Sequence, residues 1–161
     1  MDRTHLARLV SGGQTGADRA ALDVAIEHGL LHGGWCPRGG WAEDFPTAPG
    51  LLVRYPALVE APSRDPDVRT RWNVRDSHAT LVVRPAGRTS PGTDLTVATA
   101  VDLGRPHLVS TDADEVVDWL RELGRLLTLN VAGPRESEQP GVHDATRRLL
   151  GEVLDALRQV Y

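Results

Sequence analysis

Two short segments combine glycine with hydroxyl or amide side chains at points where a strand pattern gives way to a helix pattern. Residues 11–16 read Ser-Gly-Gly-Gln-Thr-Gly and stand between an apolar run and an amphipathic pattern. Residues 90–93 read Ser-Pro-Gly-Thr and open a second helical pattern. Glycine lets backbone N–H groups approach a ligand closely, and a helix N-terminus carries partial positive charge. Both segments are typical of phosphate-binding loops, so we expect a phosphorylated small molecule as the partner.

The backbone amides and hydroxyl groups of the two turns are the candidate contacts for such an anion. In a doubly wound parallel sheet, ligands bind at the carboxyl ends of the strands, where the strand order reverses. If the strands before the two turns are neighbours, both helix N-termini point at one ligand. The alternative is that each turn is only a tight connection between a strand and a helix. The binding interpretation takes in Gly12, Gly13, Gln14, Thr15, Gly16, Gly92 and Thr93.

Charged residues in the long stretch 37–64 supply further candidates. Arg38 is suited to a charge-assisted hydrogen bond with a phosphate oxygen. Glu43 and its neighbour Asp44 could contact hydroxyl or amino groups of a ligand, or act as acid and base. The stretch shows little periodicity, and a long loop inside a compact domain is usually functional or mobile. The alternative for these residues is that they are solvated surface charges.

Two predicted helices each add polar residues to this set. Asp18 follows the first turn, and with Thr15 it has the spacing of a helix capping box. Arg69, Asn73 and Asp76 occur at i, i+4 and i+7, which places them on one face of a helix. Such a stripe is most often the solvent-facing side, but this helix directly follows the long loop. We therefore include Asp18, Asn73 and Asp76 among the candidate binding residues.

Aromatic, cysteine and histidine residues give weaker signals. Trp35 and Trp41 flank the loop and could stack on a ring system. Cys36 is the only cysteine, which excludes an intrachain disulfide and a thiolate zinc cluster, and we interpret it as a small buried apolar residue. The six histidines show no metal-ligand spacing. We expect no metal ligand among these residues.

Composition places the chain among ordinary globular proteins. It has 161 residues, 40% hydrophobic and 25% charged, and we expect residues 1–161 to form a single domain. The formal net charge of −4 argues against nucleic acid as a partner. All 18 basic residues are arginines, which excludes a lysine Schiff base and a P-loop lysine. No apolar run approaches the ~18 residues of a membrane span, and no signal-type stretch is seen, so we expect a cytoplasmic location without membrane contact.

Strand and helix patterns alternate along the sequence. Strands are predicted over residues 6–10, 34–37, 79–83, 107–109 and 126–131, and helices follow both glycine turns. Further helices are predicted over 66–76, after a capping pair formed by Thr111 and Asp114, and near the C-terminus. The helix after the second turn carries Leu95, Ala98 and Val101 on one face. The alternation predicts a doubly wound, Rossmann-like α/β fold: a mostly parallel sheet with helices on both faces.

Several segments, taken together, resemble the molybdenum cofactor carrier family, which looks related to the lysine-decarboxylase-like, Rossmann-type phosphoribohydrolases. They are residues 11–23 (SGGQTGADRAALD), 33–39 (GGWCPRG), 42–44 (AED), 69–70, 73–77 (NVRDS), 79–81, 92–93 and 129–137 (LNVAGPRES). The resemblance spans most of the chain. It implies a Rossmann-like homodimer or homotetramer that binds molybdenum cofactor, a pterin with a terminal phosphate and a dithiolene-bound oxo-metal. It also implies delivery to a recipient molybdoenzyme.

The same resemblance leaves a second function open. The related phosphoribohydrolases place a glutamate pair just after their glycine-threonine turn, whereas here Asp94-Leu95-Thr96 follows Thr93. Cleavage of an N-glycosidic bond needs a carboxylate to stabilise oxocarbenium-like charge, and Glu43 could supply it only from the loop. We therefore expect a carrier without catalytic residues. The alternatives are a nucleoside-monophosphate phosphoribohydrolase-like enzyme and a sensor of nucleotide derivatives.

Overall fold

The fold is built around one six-stranded sheet in which every strand pair is parallel. The computed structural model describes residues 5–85 and 90–158. The spatial order of the strands is β3-β2-β1-β6-β4-β5. The strands are β1 (Leu6–Val10), β2 (Leu31–Cys36), β3 (Leu58–Glu60), β4 (Ala79–Val82), β5 (His107–Val109) and β6 (Leu127–Ala132).

Helices cover both faces of the sheet, which confirms the predicted doubly wound α/β class. Helix α6 packs against both α1 and α5, and these three helices share the main apolar core with the sheet, whereas α3 and α4 pack together. The alternation of strand and helix requires this arrangement, because each parallel strand needs a crossover connection. The helices are α1 (Ala17–His28), α2 (Leu51–Arg54), α3 (Pro66–Arg75), α4 (Pro91–Leu103), α5 (Ala113–Leu123) and α6 (Val142–Arg158).

The two glycine turns do not follow neighbouring strands, so that part of the expectation is wrong. The first turn follows β1 and the second follows β4, and β6 lies between these strands. The crossover through α5 inserts the last strand at this place, and nothing in a local sequence pattern specifies such an insertion. The carboxyl end of β6 therefore forms part of the surface between the turns.

The stretch 37–64 is more ordered than the sequence indicated. It contains the four-residue helix α2 and the three-residue strand β3, which pairs with β2. Its apolar residues form a second small core with α1 and β2, and that core includes Leu22, Cys36, Leu51, Tyr55 and Leu58. Elements of three or four residues are too short to show a period, so they were not predictable from the hydrophobic pattern.

The apolar face of α4 points to solvent. Val101 is 62% exposed and Leu103 is 48% exposed, while the buried side of the helix carries threonines. Thr96 and Thr99 satisfy their hydroxyls by donating to the carbonyls of Gly92 and Leu95, at 2.9 and 2.7 Å. Such back-bonding lets a hydroxyl be buried without loss of a hydrogen bond.

Within the described residues, no helix has the length and apolarity that a bilayer crossing requires.

Both predicted capping pairs are wrong. Helix α1 begins after Gly16, which makes no side-chain cap, and Thr15 directs its hydroxyl to a loop residue instead. Helix α5 begins after Asp112, whose carboxylate accepts the amides of Asp114 and Glu115 at 2.9 and 3.4 Å. The spacing signal was displaced by one residue at α5, where both Thr111 and Asp112 are acceptable N-cap types.

The cap of α5 can be tested by two neighbouring substitutions. We expect Asp112→Ala to lower the free energy of unfolding by about 1 kcal/mol, since two helix amides lose their acceptor. Thr111→Ala is the matched control and should change stability by less than about 0.5 kcal/mol. Urea unfolding followed by circular dichroism measures both values. Equal effects of the two substitutions would contradict the assignment of Asp112 as the cap.

Candidate functional site

A cavity of about 230 Å³ opens at the carboxyl ends of β1 and β6, between α3 and α4. Parallel α/β sheets bind ligands at this edge because loops and helix N-termini converge there. Residues from both glycine turns line this cavity even though their strands are not neighbours. Among the lining residues are Gly12, Gln14, Asp18, Trp41, Asp67, Arg69, Asn73, Ser90, Gly92, Thr93, Thr96, Asn130, Gly133, Arg135 and Glu138.

Side-chain oxygens of the protein itself lie beside the backbone amides of the first turn. The backbone amides of Gly12 and Gln14 lie close enough to the carboxylate of Asp18 to lower its pKa. The amide of Gly13 donates to Ser11 Oγ at 3.3 Å. A backbone nest of this kind is suited to an anion, and here a side-chain carboxylate already fills it. The turn therefore presents Asp18, and not open amides, to the cavity.

Asp18 is a weaker acid than an ordinary aspartate. It is 9% exposed, and this burial raises its pKa to about 6 from an ordinary 3.8. Arg69, with Nη1 at 4.0 Å from Asp18 Oδ2, and the two amides oppose the rise. Removal of the carboxylate from water outweighs these attractions. Asp18 consequently changes its charge just below neutral pH.

Arg69 is the buried cation of the site. Its Nη1 donates to the carbonyl of Gly12 at 3.0 Å, and its Nε donates to the carbonyl of Pro66 at 3.1 Å. Burial lowers its pKa, and the negative charge of Asp18 counteracts that effect. A side chain at position 12 would overlap the guanidinium, so the glycine there accommodates Arg69. The first turn and α3 are joined through this contact.

The second turn presents an open amide. Ser90 caps α4: its Oγ accepts the Thr93 amide at 3.4 Å and donates to Thr93 Oγ1 at 2.7 Å. Pro91 has no N–H, and the amide of Gly92 has no acceptor within residues 5–85 and 90–158. A Cβ at Gly92 would meet no atom of these residues within 4 Å. This helix N-terminus can therefore receive an anion from the cavity.

Asn130 is a site residue that the analysis of the sequence missed. It lies near the end of β6, is 3% exposed, and donates Nδ2 to Thr80 Oγ1 at 3.3 Å. Its side chain belongs to the cavity wall, between the two turns. An amide side chain inside the mainly apolar run Leu127–Ala132 was the available signal. Buried amides are retained where they can form hydrogen bonds.

Glu43, Thr15 and Gly16 lie behind the cavity and hold three segments together. Thr15 donates its hydroxyl to Glu43, which also accepts Ser137 Oγ at 2.6 Å and lies 3.7 Å from Arg135. Although burial opposes it, these hydrogen bonds hold the pKa of Glu43 below its ordinary range. Gly16 is in contact with the backbone of 134–136, where a side chain would overlap it. This network positions the turn and does not line the cavity.

Arg38 and Asp76 lie away from the cavity wall. Arg38 is exposed, and its backbone amide donates to Ser63. Asp76 accepts Trp35 Nε1 at 2.8 Å beside a second cavity that it shares with Asn73. Asn73 also uses its amide to hold the backbone of Trp35, at 2.8 and 2.9 Å. The ring of Trp35 packs edge-on against Trp72 instead of facing the main cavity.

The predicted residues thus divide into two groups. The main cavity brings together Gly12, Gln14, Asp18, Asn73, Gly92 and Thr93. The other predicted residues lie behind the cavity or away from it: Gly13, Thr15, Gly16, Arg38, Glu43 and Asp76. Cys36 is fully buried in the second core, and this burial raises its pKa to about 11, in keeping with a structural thiol. No cluster of potential metal ligands occurs in the described part of the chain.

Comparison with known proteins assigns the chain to a family. A model of the circularly permutated YpsA SLOG family matches residues 9–154. The chain belongs to this family. A crystal structure described as a "putative molybdenum carrier protein" from Syntrophus aciditrophicus SB is similar to it, with 36% sequence identity and a TM-score of 0.83. The match covers 94% of this chain and 97% of the other. No curated protein matches the chain.

The matched range of the SLOG family model contains every residue that lines the cavity. The cavity therefore lies within the part of the chain that matches the family. The identity of 36% over almost the whole length confirms the Rossmann-like fold and the family resemblance seen in the sequence.

The buried acid of this SLOG domain predicts a pH-dependent stability. The pKa of Asp18 is about 6 when folded and 3.8 ordinarily, so the folded state retains a proton that the unfolded chain releases between these values. The free energy of unfolding should therefore fall as the pH rises from about 4 to about 6 and then level off. We expect Asp18→Asn to flatten this profile and to raise stability at pH 7.5 by about 1–3 kcal/mol.

Urea unfolding at pH 4.5, 6.0 and 7.5 measures this effect. Asp67→Asn, which removes an exposed carboxylate from the rim of the same cavity, is the matched control for charge. A loss of stability in Asp18→Asn at all three pH values would show that the carboxylate is a net stabilising contact instead.

Proposed function

We propose that this protein is a carrier that binds a phosphorylated pterin of the molybdenum cofactor type and hands it to a recipient molybdoenzyme. The observation that supports it is the shared cavity of the two turns, in a chain 36% identical to a protein described as a putative molybdenum carrier. The cavity offers a helix N-terminus, a buried arginine and polar side chains. These are the groups that a phosphate and a hydrogen-bonding ring require.

In this proposal the phosphate lies at the first turn of α4. The amide of Gly92 has no acceptor among the residues that the structure describes, and the positive end of the helix dipole adds to it. Arg69, buried in the opposite wall, supplies the cation that offsets the charge of the ligand. The first turn contributes Gln14 and Asp18 to the rest of the ligand, since its amides are already hydrogen-bonded.

The positions of the carboxylates favour a carrier over a phosphoribohydrolase. Glu43, the loop residue able to replace the glutamates of the related phosphoribohydrolases, is held by Thr15 and Ser137 outside the cavity lining. Position 95 on α4 is leucine and position 96 is threonine. Stabilising the positive charge of glycosidic cleavage needs a carboxylate beside the anomeric carbon. Neither place supplies one, and the buried carboxylate that does line the cavity, Asp18, lies beside the cation of Arg69.

Ligand binding can be tested by calorimetry under anaerobic conditions with purified molybdenum cofactor. We expect saturable binding, weakened at least about tenfold in Gly92→Ala, because the added methyl group stands between the helix amide and the phosphate. Gly151→Ala, in α6 and equally free of contacts at its Cβ position, is the matched control and should bind as the wild type does. Both variants should fold, since alanine is favourable in helices.

Two results would contradict the proposal. One is the absence of saturable heat with the cofactor. The other is equal binding by the wild type and Gly92→Ala, which would place the phosphate elsewhere.

We further propose that the carrier is a homodimer or homotetramer. The exposed apolar residues Val101, Leu103 and Val109 on α4 and β5 support this, because a subunit contact removes apolar surface from water. Light scattering should give a multiple of 17.5 kDa for the wild type. Val101→Glu should lower the mass by placing a charge in the contact, whereas Asp102→Glu at the next position should not. A monomeric wild type at micromolar concentration would contradict this assembly.

A further inference from the structure

The charges of the main cavity do not match a site that recognises only an anion. Two arginines line it, Arg69 and Arg135, together with three carboxylates, Asp18, Asp67 and Glu138. Glu138 is paired with Arg135 at 3.2 Å, and Asp67 is exposed at the rim. Asp18 alone among the carboxylates is buried. The carboxylate of Asp18 would repel a ligand that carried only negative charge. The part of the ligand that lies next to Asp18 must therefore carry hydrogen-bond donors.

We propose that Asp18 recognises the ring of the ligand by accepting two adjacent N–H groups, such as those of the 2-amino-4-oxopyrimidine edge shared by pterins and guanine. This inference rests on the proposed function and adds the orientation of the ligand to it. The phosphate lies at the α4 turn, and the N–H edge lies at the first turn.

The chemistry of a carboxylate explains this selectivity. Its two oxygens lie in one plane and only accept hydrogen bonds, so they match a parallel pair of donors, as in the pairing with arginine. The 2-amino-4-oxopyrimidine edge carries an amino N–H beside a ring N–H. The hypoxanthine edge has only the ring N–H. The adenine edge places an acceptor nitrogen beside its amino group, and that nitrogen would face a carboxylate oxygen with no proton between them.

The surroundings of Asp18 fix it for this task. The amides of Gly12 and Gln14 lie beside its carboxylate, and Nη1 of Arg69, which comes from α3, lies 4.0 Å from it. A preorganised acceptor loses little rotamer entropy on binding. The carboxylate is costly to bury without partners, and ligand N–H groups supply further ones. Asn130, in the same wall, offers its amide oxygen as an additional acceptor.

The test uses four probes with wild-type protein: GMP, IMP, AMP and ribose 5-phosphate. All four carry the same phosphate, so differences among them report the ring. Calorimetry should give GMP tighter than IMP and IMP tighter than AMP, with GMP at least about tenfold tighter than AMP. In Asp18→Asn the preference for GMP over AMP should fall to less than about threefold, while ribose 5-phosphate binds no more weakly than before. Asp67→Asn, which removes the same charge from the rim, should keep the preference.

The outcomes separate this inference from the proposed function. Equal affinities of the wild type for GMP and AMP, or a preference that survives in Asp18→Asn, would overturn the role of Asp18 while leaving phosphate binding in place. Absence of binding by all four probes would overturn the phosphate site as well. Circular dichroism and urea unfolding establish that Asp18→Asn is folded, so a lost preference cannot be attributed to unfolding.

Discussion

The contact on which the site depends is the buried pairing of Arg69 with the first glycine turn. The guanidinium donates to the carbonyl of Gly12 and lies close to Asp18, while α3 carries it from the opposite wall. Both groups are desolvated, and burial shifts the pKa of each toward its neutral form, so the hydrogen bonds that Arg69 donates to the carbonyls of Gly12 and Pro66 join the turn to α3 more than the ion pair does. The position of α3, the glycine at 12 and the floor of the cavity follow from this one arrangement.

A second arginine repeats the arrangement on the other side of the turn. Arg19 donates Nε to the carbonyl of Gly13 at 3.0 Å and forms a bidentate pair with Asp44 at 2.7 and 2.8 Å. Its guanidinium also lies over the ring of Phe45. The loop that carries Asp44 is thereby held against the turn. The turn is thus a charged cluster of the protein itself, with carbonyls bound by arginines and amides bound by an aspartate. Its glycines allow these close contacts as much as they allow a ligand.

Local patterns in the sequence predicted the elements well and their assembly less well. Alternation of apolar runs and helical faces gave β1, β4, β5 and the five long helices, because each pattern depends on neighbouring residues only. The insertion of β6 between β1 and β4 depends on a crossover of long range, so it was not predictable from these patterns. Asp18 and Glu43 show the same limit within the site. Both are acids near a glycine turn, and only the tertiary packing decides that Asp18 enters the cavity and Glu43 remains behind it.

The direct pairing of β1 with β6 also explains how a circularly permuted chain can keep the same cavity. The first and last strands of the described fold pair directly, from Leu6 opposite Leu127 to Val10 opposite Asn130, and α6 packs on α1. Elements from the two ends of the chain are therefore adjacent in space, which is the condition under which a circular permutation preserves a fold. The cavity walls are set by the order of strands in the sheet and not by their order in the chain. Asp18, from the first helix, and Asn130, from the last strand, consequently line one cavity, and a permutation that rejoins the chain elsewhere leaves that juxtaposition unchanged.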